Sequence, residues 1–190
     1  AVAVCDFNGD GALDVAVGAP YAEDRDASPV VSDTGGAYVW LGGKAGLSAL
    51  TGKPSFARYG AVPDGKGGWQ SVASMRVGWS VAAGDFDGDG ACDLAVGSLY
   101  YNGGHANDGL VLVYRGEKSS ADSSGGLSAL PARVFSGASL GEVGSQFGRS
   151  MAACDVDGDK KAELVVGELA FRGGDAKLAN RGATRLFKLP

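Results

Sequence analysis

A nine-residue frame rich in aspartate occurs three times in this chain, beginning at Asp6, Asp85 and Asp155. The middle copy reads Asp85-Phe86-Asp87-Gly88-Asp89-Gly90-Ala91-Cys92-Asp93, with carboxylates at frame positions 1, 3, 5 and 9 and glycines at 4 and 6. Alternate residues of a tight loop point inward, so positions 1, 3 and 5 converge on one point. Clustered carboxylates repel one another, and a hard cation such as Ca²⁺, which takes about 6–8 oxygen ligands, relieves that repulsion. The glycines allow the turn because they reach positive φ without steric cost. A single acidic string is more often a solvated turn than a site. Three copies in one frame point to metal.

The other copies are Asp6-Phe7-Asn8-Gly9-Asp10-Gly11-Ala12-Leu13-Asp14 and Asp155-Val156-Asp157-Gly158-Asp159-Lys160-Lys161-Ala162-Glu163. An EF-hand needs a bidentate Glu at loop position 12 and flanking helices. Position 12 here is Val17, Val96 or Val166. Each frame is followed by a short apolar run ending in glycine, such as Leu94-Ala95-Val96-Gly97, which reads as a buried strand. Each acidic loop therefore joins two strands.

Alignment on the loops exposes longer repeats, spaced 79 and 70 residues apart. A first strand precedes each loop: Ala1-Val2-Ala3-Val4-Cys5, Ser80-Val81-Ala82-Ala83-Gly84 and Ser150-Met151-Ala152-Ala153-Cys154. The pairs Val77-Gly78 and Phe147-Gly148 lie upstream of the second and third copies. The second strand ends in Gly18-Ala19-Pro20, Gly97-Ser98-Leu99 or Gly167-Glu168-Leu169. After a segment of variable length, a third strand begins at Gly36, Gly109 or Gly182. Gly46-Leu47-Ser48-Ala49-Leu50 recurs as Gly126-Leu127-Ser128-Ala129-Leu130, and a fourth strand is expected near Ser55–Tyr59 and Ala132–Phe135. The expected units are 1–76, 77–146 and 147–190, the last without its fourth strand. Such a four-stranded antiparallel unit cannot bury both its faces alone, whereas radial stacking buries them. The fold class is therefore all-β, of β-propeller type. About three blades make an incomplete ring, since propellers use about four to eight. Exposed blade edges invite pairing, so a homodimer or the remainder of a longer chain is expected to cover them.

The set formed by Phe147-Gly148, the acidic loops and Gly18-Ala19-Pro20 resembles the FG-GAP repeat of integrin α-subunit propellers and their bacterial relatives. The resemblance covers almost the whole chain. It implies one blade per repeat, Ca²⁺ in the hairpin between the first two strands, and a role in extracellular or cell-surface adhesion or protein–protein interaction. It also adds a backbone carbonyl at position 7 to the side-chain ligands. The first site is then Asp6, Asn8, Asp10 and Asp14 with the Ala12 carbonyl. The second is Asp85, Asp87, Asp89 and Asp93 with the Ala91 carbonyl, and the third is Asp155, Asp157, Asp159 and Glu163 with the Lys161 carbonyl. Lys160 replaces the position-6 glycine in the third copy and, with Lys161, adds positive charge. The third site is expected to bind most weakly.

Composition agrees with this reading. The loops hold eleven of the 22 acidic residues, and three bound Ca²⁺ ions would take the formal charge from −5 to +1. The acidity is thus largely a feature of the loops, and no basic cluster suggests nucleic acid. No apolar run approaches the length of a membrane span. The absence of a CxxC pair disfavours zinc. Cys5, Cys92 and Cys154 are read as small buried hydrophobes rather than a disulfide. The chain is not expected to be an enzyme: its one histidine, His105, lies in a glycine-rich loop, and Glu23, Asp24 and Asp26 read as a solvated loop. A glycan-binding propeller is the alternative. Trp40 and Trp79 read as core, and Trp69, in a glycine-rich loop, is the candidate for sugar stacking. The protein or glycan partner is not encoded in any motif.

Overall fold

A computed structural model describes residues 1–43, 52–64, 66, 68–141, 143–171 and 181–190. The first Gly-Leu-Ser-Ala-Leu segment, 46–50, lies outside the described residues. No α-helix occurs among the described residues; the only helical element is a 3₁₀ turn at Ala138–Leu140.

Three antiparallel sheets follow one another in chain order. The first holds β1 (Val2–Cys5), β2 (Asp14–Ala19), β3 (Gly36–Trp40) and β4 (Phe56–Tyr59), paired in that order. A small hairpin follows, of β5 (Ala61–Pro63) and β6 (Trp69–Ser71). The second sheet holds β7 (Ser80–Gly84), β8 (Asp93–Ser98), β9 (Leu110–Tyr114) and β12 (Arg133–Ser136). Between its last two strands lies a second small hairpin, β10 (Gly116–Glu117) with β11 (Gly126–Leu127). The third sheet holds β13 (Phe147–Cys154), β14 (Glu163–Glu168) and β15 (Ala183–Phe187). The fourth strand expected near Ala132–Phe135 is β12, and that near Ser55–Tyr59 is β4.

Stacking is visible in the burial of alternate residues. Every residue of β8 and β9 is buried. Successive strand side chains face opposite sides of a sheet. Accordingly Leu94, Val96, Leu110, Leu112 and Tyr114 join a core with Phe7, Val39 and Phe56 of the first blade. Ala95, Val111 and Val113 join a second core with Phe147, Leu164 and Val166 of the third. The middle blade is therefore covered on both faces. β1 and β15, by contrast, alternate between exposed and half-buried residues.

Glycine permits the close approach of neighbouring blades. Gly35 and Gly109 hold φ of +72° and +81° and form parallel bridges to Val77 and Phe147. A Cβ on Gly109 would stand 2.1 Å from the Phe147 carbonyl oxygen, and one on Gly35 would stand 2.2 Å from that of Val77. The third strand of the first unit thus corresponds through Gly35, one residue before the Gly36 suggested by alignment.

Several side-chain expectations change. Trp40, Trp69 and Trp79 are all half-buried rather than divided between core and loop, and Trp69 belongs to β6. Asp24 is buried, not solvated: its Oδ1 accepts the N–H groups of Asp26 and Ala27 at 3.1 Å, and Ser71 donates to its Oδ2. It anchors the variable segment of the first blade to the β5–β6 hairpin. His105 is exposed, as expected, with Nδ1 3.8 Å from buried Asp108.

Candidate metal centre

Each acidic frame forms the connection between the first two strands of its blade: β1 to β2, β7 to β8 and β13 to β14. Frame position 1 organises the loop. Asp6 accepts the N–H groups of Asp10 at 3.1 Å and Gly11 at 2.8 Å. Asp85 accepts those of Gly88 at 2.7 Å, Asp89 at 3.1 Å and Gly90 at 2.8 Å. Asp155 accepts those of Gly158 at 2.6 Å and Lys160 at 2.8 Å. Backbone donors thus hold this carboxylate in place.

Position 9 fastens the loop to the sheet. Asp14 accepts from Phe7 N–H at 2.7 Å and Gly42 N–H at 2.6 Å, while Asp93 accepts from Phe86 at 3.0 Å and Gly116 at 2.8 Å. Glu163 accepts from Val156 N–H at 2.9 Å. All three position-9 side chains are buried. Burial is the largest influence on the Asp14 and Asp93 carboxyls and raises both, Asp93 to about 6, against the lowering effect of their N–H donors. Neighbouring loop aspartates raise them further.

The donor set suits a hard cation. Asp85, Asp87 and Asp93 each place a carboxylate oxygen within 4.8 Å of the others, as do Asp155, Asp157 and Glu163. Ca²⁺–oxygen distances of about 2.3–2.6 Å let one ion span ligand pairs up to about 5 Å apart. In the first loop the Asn8 amide nitrogen donates to Asp10 Oδ2 at 3.2 Å and to the Ser124 carbonyl at 3.0 Å. Positions 5 in the second and third loops, Asp89 and Asp159, accept the position-7 N–H at 2.7 and 2.9 Å. Their residues are exposed at the loop rim.

Basic side chains reach these loops from beyond the third strands. Leu94 pairs with Tyr114 and Leu164 with Phe187, so Arg115 and Lys188 hold equivalent places. Arg115 Nε lies 3.4 Å from Asp87 Oδ2. Lys188 Nζ pairs with Asp157 Oδ2, lies 3.2 Å from Asp159 Oδ2 and 3.7 Å from Glu163 Oε1. The acidic frame alone does not reveal these cations; the register of the third strand does.

The loops of adjacent blades also touch. Cys92 N–H donates to the Asp6 carbonyl at 2.8 Å, and Ala162 N–H donates to that of Asp85 at 2.8 Å. Position 8 of one loop therefore meets the start of the preceding loop. At the first seam this brings together Cys5 and Cys92, which form a disulfide with a Cα separation of 6.0 Å. At the second seam Gly84 faces Ala162, where a Cβ on Gly84 would lie 2.8 Å from the alanine Cβ. Cys154 is a free, exposed thiol. The reading of three buried, unpaired cysteines is thus corrected: Cys5 and Cys92 are paired, and Cys154, unpaired as expected, is exposed rather than buried. Equivalent positions are kept apart by the repeat, but positions 0 and 8 of neighbouring loops are brought together.

At the opposite end of β14 lies an open cleft lined by Trp79, Arg149, Glu168 and Thr184. Trp79 there packs edge-on against Tyr100, with ring centroids 6.0 Å apart.

Comparison with known proteins agrees with the repeat geometry. The FG-GAP repeat model matches residues 1–40, 77–114 and 147–182, each match containing one acidic loop and the strands around it. Integrin alpha-5 of Xenopus laevis is 33% identical over 95% of this chain, and human integrin alpha-IIb is 36% identical over 87%. Phosphatidylinositol-glycan-specific phospholipase D of Bos taurus is 35% identical over 60% of the chain. The chain spans only 15%, 14% and 12% of the length of these three relatives. With three matched repeats covering more than half of its residues, the chain belongs to the FG-GAP repeat family.

Proposed function

We propose that the chain is a Ca²⁺-stabilised scaffold for extracellular or cell-surface adhesion or protein–protein interaction, without catalytic activity of its own. The observation that carries this reading is the recurrence of converging oxygen donors at the same hairpin of successive blades, beside the seams between blades. An ion there ties the hairpin to the position-9 carboxylate and so to the sheet. The ligands are Asp6, Asn8, Asp10, Asp14 and the Ala12 carbonyl; Asp85, Asp87, Asp89, Asp93 and the Ala91 carbonyl; and Asp155, Asp157, Asp159, Glu163 and the Lys161 carbonyl. The repeating units are taken as 1–76, 77–146 and 147–190. The Cys5–Cys92 disulfide supports an oxidising compartment. Two faces stay open, on β1 and on β15, and we take them to be covered by further repeats of a longer chain or by a second copy.

The test combines calorimetric Ca²⁺ titration with thermal melting and light scattering, in millimolar Ca²⁺ and after chelation. Ligand linkage gives about 2.7 kcal/mol of stabilisation for each site when the free ion is about 100-fold above its Kd. The expected result is saturable binding and a clear loss of melting temperature on chelation. No binding and an unchanged melt would overturn the metal reading. Glycan binding is a second reading, supported by Trp79 in the open cleft. A glycan array without hits would remove it.

A further inference from the structure

We infer that Lys188 is a built-in competitor for the third metal site, an ammonium group that occupies the loop in the absence of Ca²⁺ and must leave when the ion enters. This rests on the metal reading proposed above. The geometry is specific to one blade. Lys188 Nζ reaches three of the four proposed side-chain ligands of the third loop: Asp157, Asp159 at 3.2 Å and Glu163 at 3.7 Å. Glu163 is buried, so the ammonium reaches past the loop rim to the position that fastens the loop to the sheet. The register Leu164↔Phe187 delivers Lys188 to this place, just beyond the end of β15.

The corresponding residues differ in the other blades. In the second blade Arg115 lies 3.4 Å from Asp87 and also donates to the Pro190 carbonyl at 3.0 Å, which draws it partly away from its loop. In the first blade the corresponding residue is Leu41, which brings no charge. The residues that follow the third strands thus form a graded series: an uncharged leucine, a peripheral guanidinium, and an ammonium among the proposed ligands. A divalent ion entering the third loop must break the Lys188 contacts and then meets a displaced positive charge nearby. Like charges at contact distance repel even in water. An ammonium on a flexible stem can swing aside, so the site is weakened rather than abolished.

The experiment is calorimetric Ca²⁺ titration and thermal melting of the whole chain, comparing wild type with Lys188→Met. A Lys188→Met/Asp155→Ala double variant assigns the affected binding step to the third loop. A second single variant, Lys188→Gln, guards against a packing effect of methionine. The expected result is a third binding step tightened about tenfold or more in both single variants, and lost in the double variant. In chelator the single variants are expected to melt below wild type, because the acidic loop has lost its counter-cation. The same substitution thus lowers stability without metal and raises the gain on adding it, which a purely structural role would not do. Binding at the first two loops with an unchanged third step would overturn the role of Lys188 alone. Absence of Ca²⁺ binding at all loops, in wild type and variants alike, would overturn the metal reading beneath it.

Discussion

Lys160 holds φ of +71°, where the equivalent Gly11 and Gly90 hold +87° and +91°. The sequence expectation of a weak third loop depended on this left-handed position, and a non-glycine residue there costs on the order of 1 kcal/mol. Lys160→Gly is expected to stabilise the fold by about that amount and to tighten the third loop, as read by melting and Ca²⁺ titration. A second expectation concerns Asp93, whose carboxyl burial pushes up to about 6. A metal ligand must be deprotonated, so Ca²⁺ affinity at the second loop should fall as pH drops below about 6, more steeply than in an Asp93→Asn variant. In the metal-free chain the sign reverses. The folded state holds the Asp93 proton more tightly than the unfolded one, so its contribution is full below about pH 4 and is lost as pH rises through about 6. Urea midpoints measured across this range with and without Ca²⁺ should therefore slope in opposite directions. At this scale the acidic loop positions were legible because they share one short frame. Lys188 was not, because its loop partners lie 25 to 31 residues away and only the pairing of β14 with β15 brings them together.

The same loop position has different energetic weight in different blades. Position 2 points toward the following blade: Phe7 and Phe86 are buried in the two inter-blade cores, while the corresponding Val156 is 56% exposed. Phe86→Ala is expected to cost about 3–5 kcal/mol, whereas Val156→Ala should change stability by less than about 0.5 kcal/mol. Equal effects in denaturant unfolding would contradict the blade order. Main strands were readable from short apolar runs bounded by glycines, and strands β4 and β12 fell close to their expected places. The β5–β6 and β10–β11 hairpins were not read. Their strands are two or three residues long, too short for alternation to register. Gly116 at the start of β10 is held by a bond from its N–H to Asp93, a residue of another strand.

Across the whole molecule, the all-β repeat architecture could be read from spacing alone, since three units with matching loops require matching environments. The disulfide could not, because it joins non-equivalent positions of neighbouring units, and only stacking shows that these meet. Its consequence is mechanical. Cys5 and Cys92 stand 87 positions apart in the chain, and their bond bypasses everything between them. A pull applied between the chain ends therefore passes straight from the end of β1 to the start of β8, and roughly 300 Å of contour length stays slack within the closed loop. The second seam, with Gly84 against Ala162, carries no such crosslink, so tension is borne by the chain from Asp93 onward, through the rest of the second blade and the third, while the span between the two cysteines is shielded. In a reducing solution that shielding disappears, and the same chain becomes extensible along its full length.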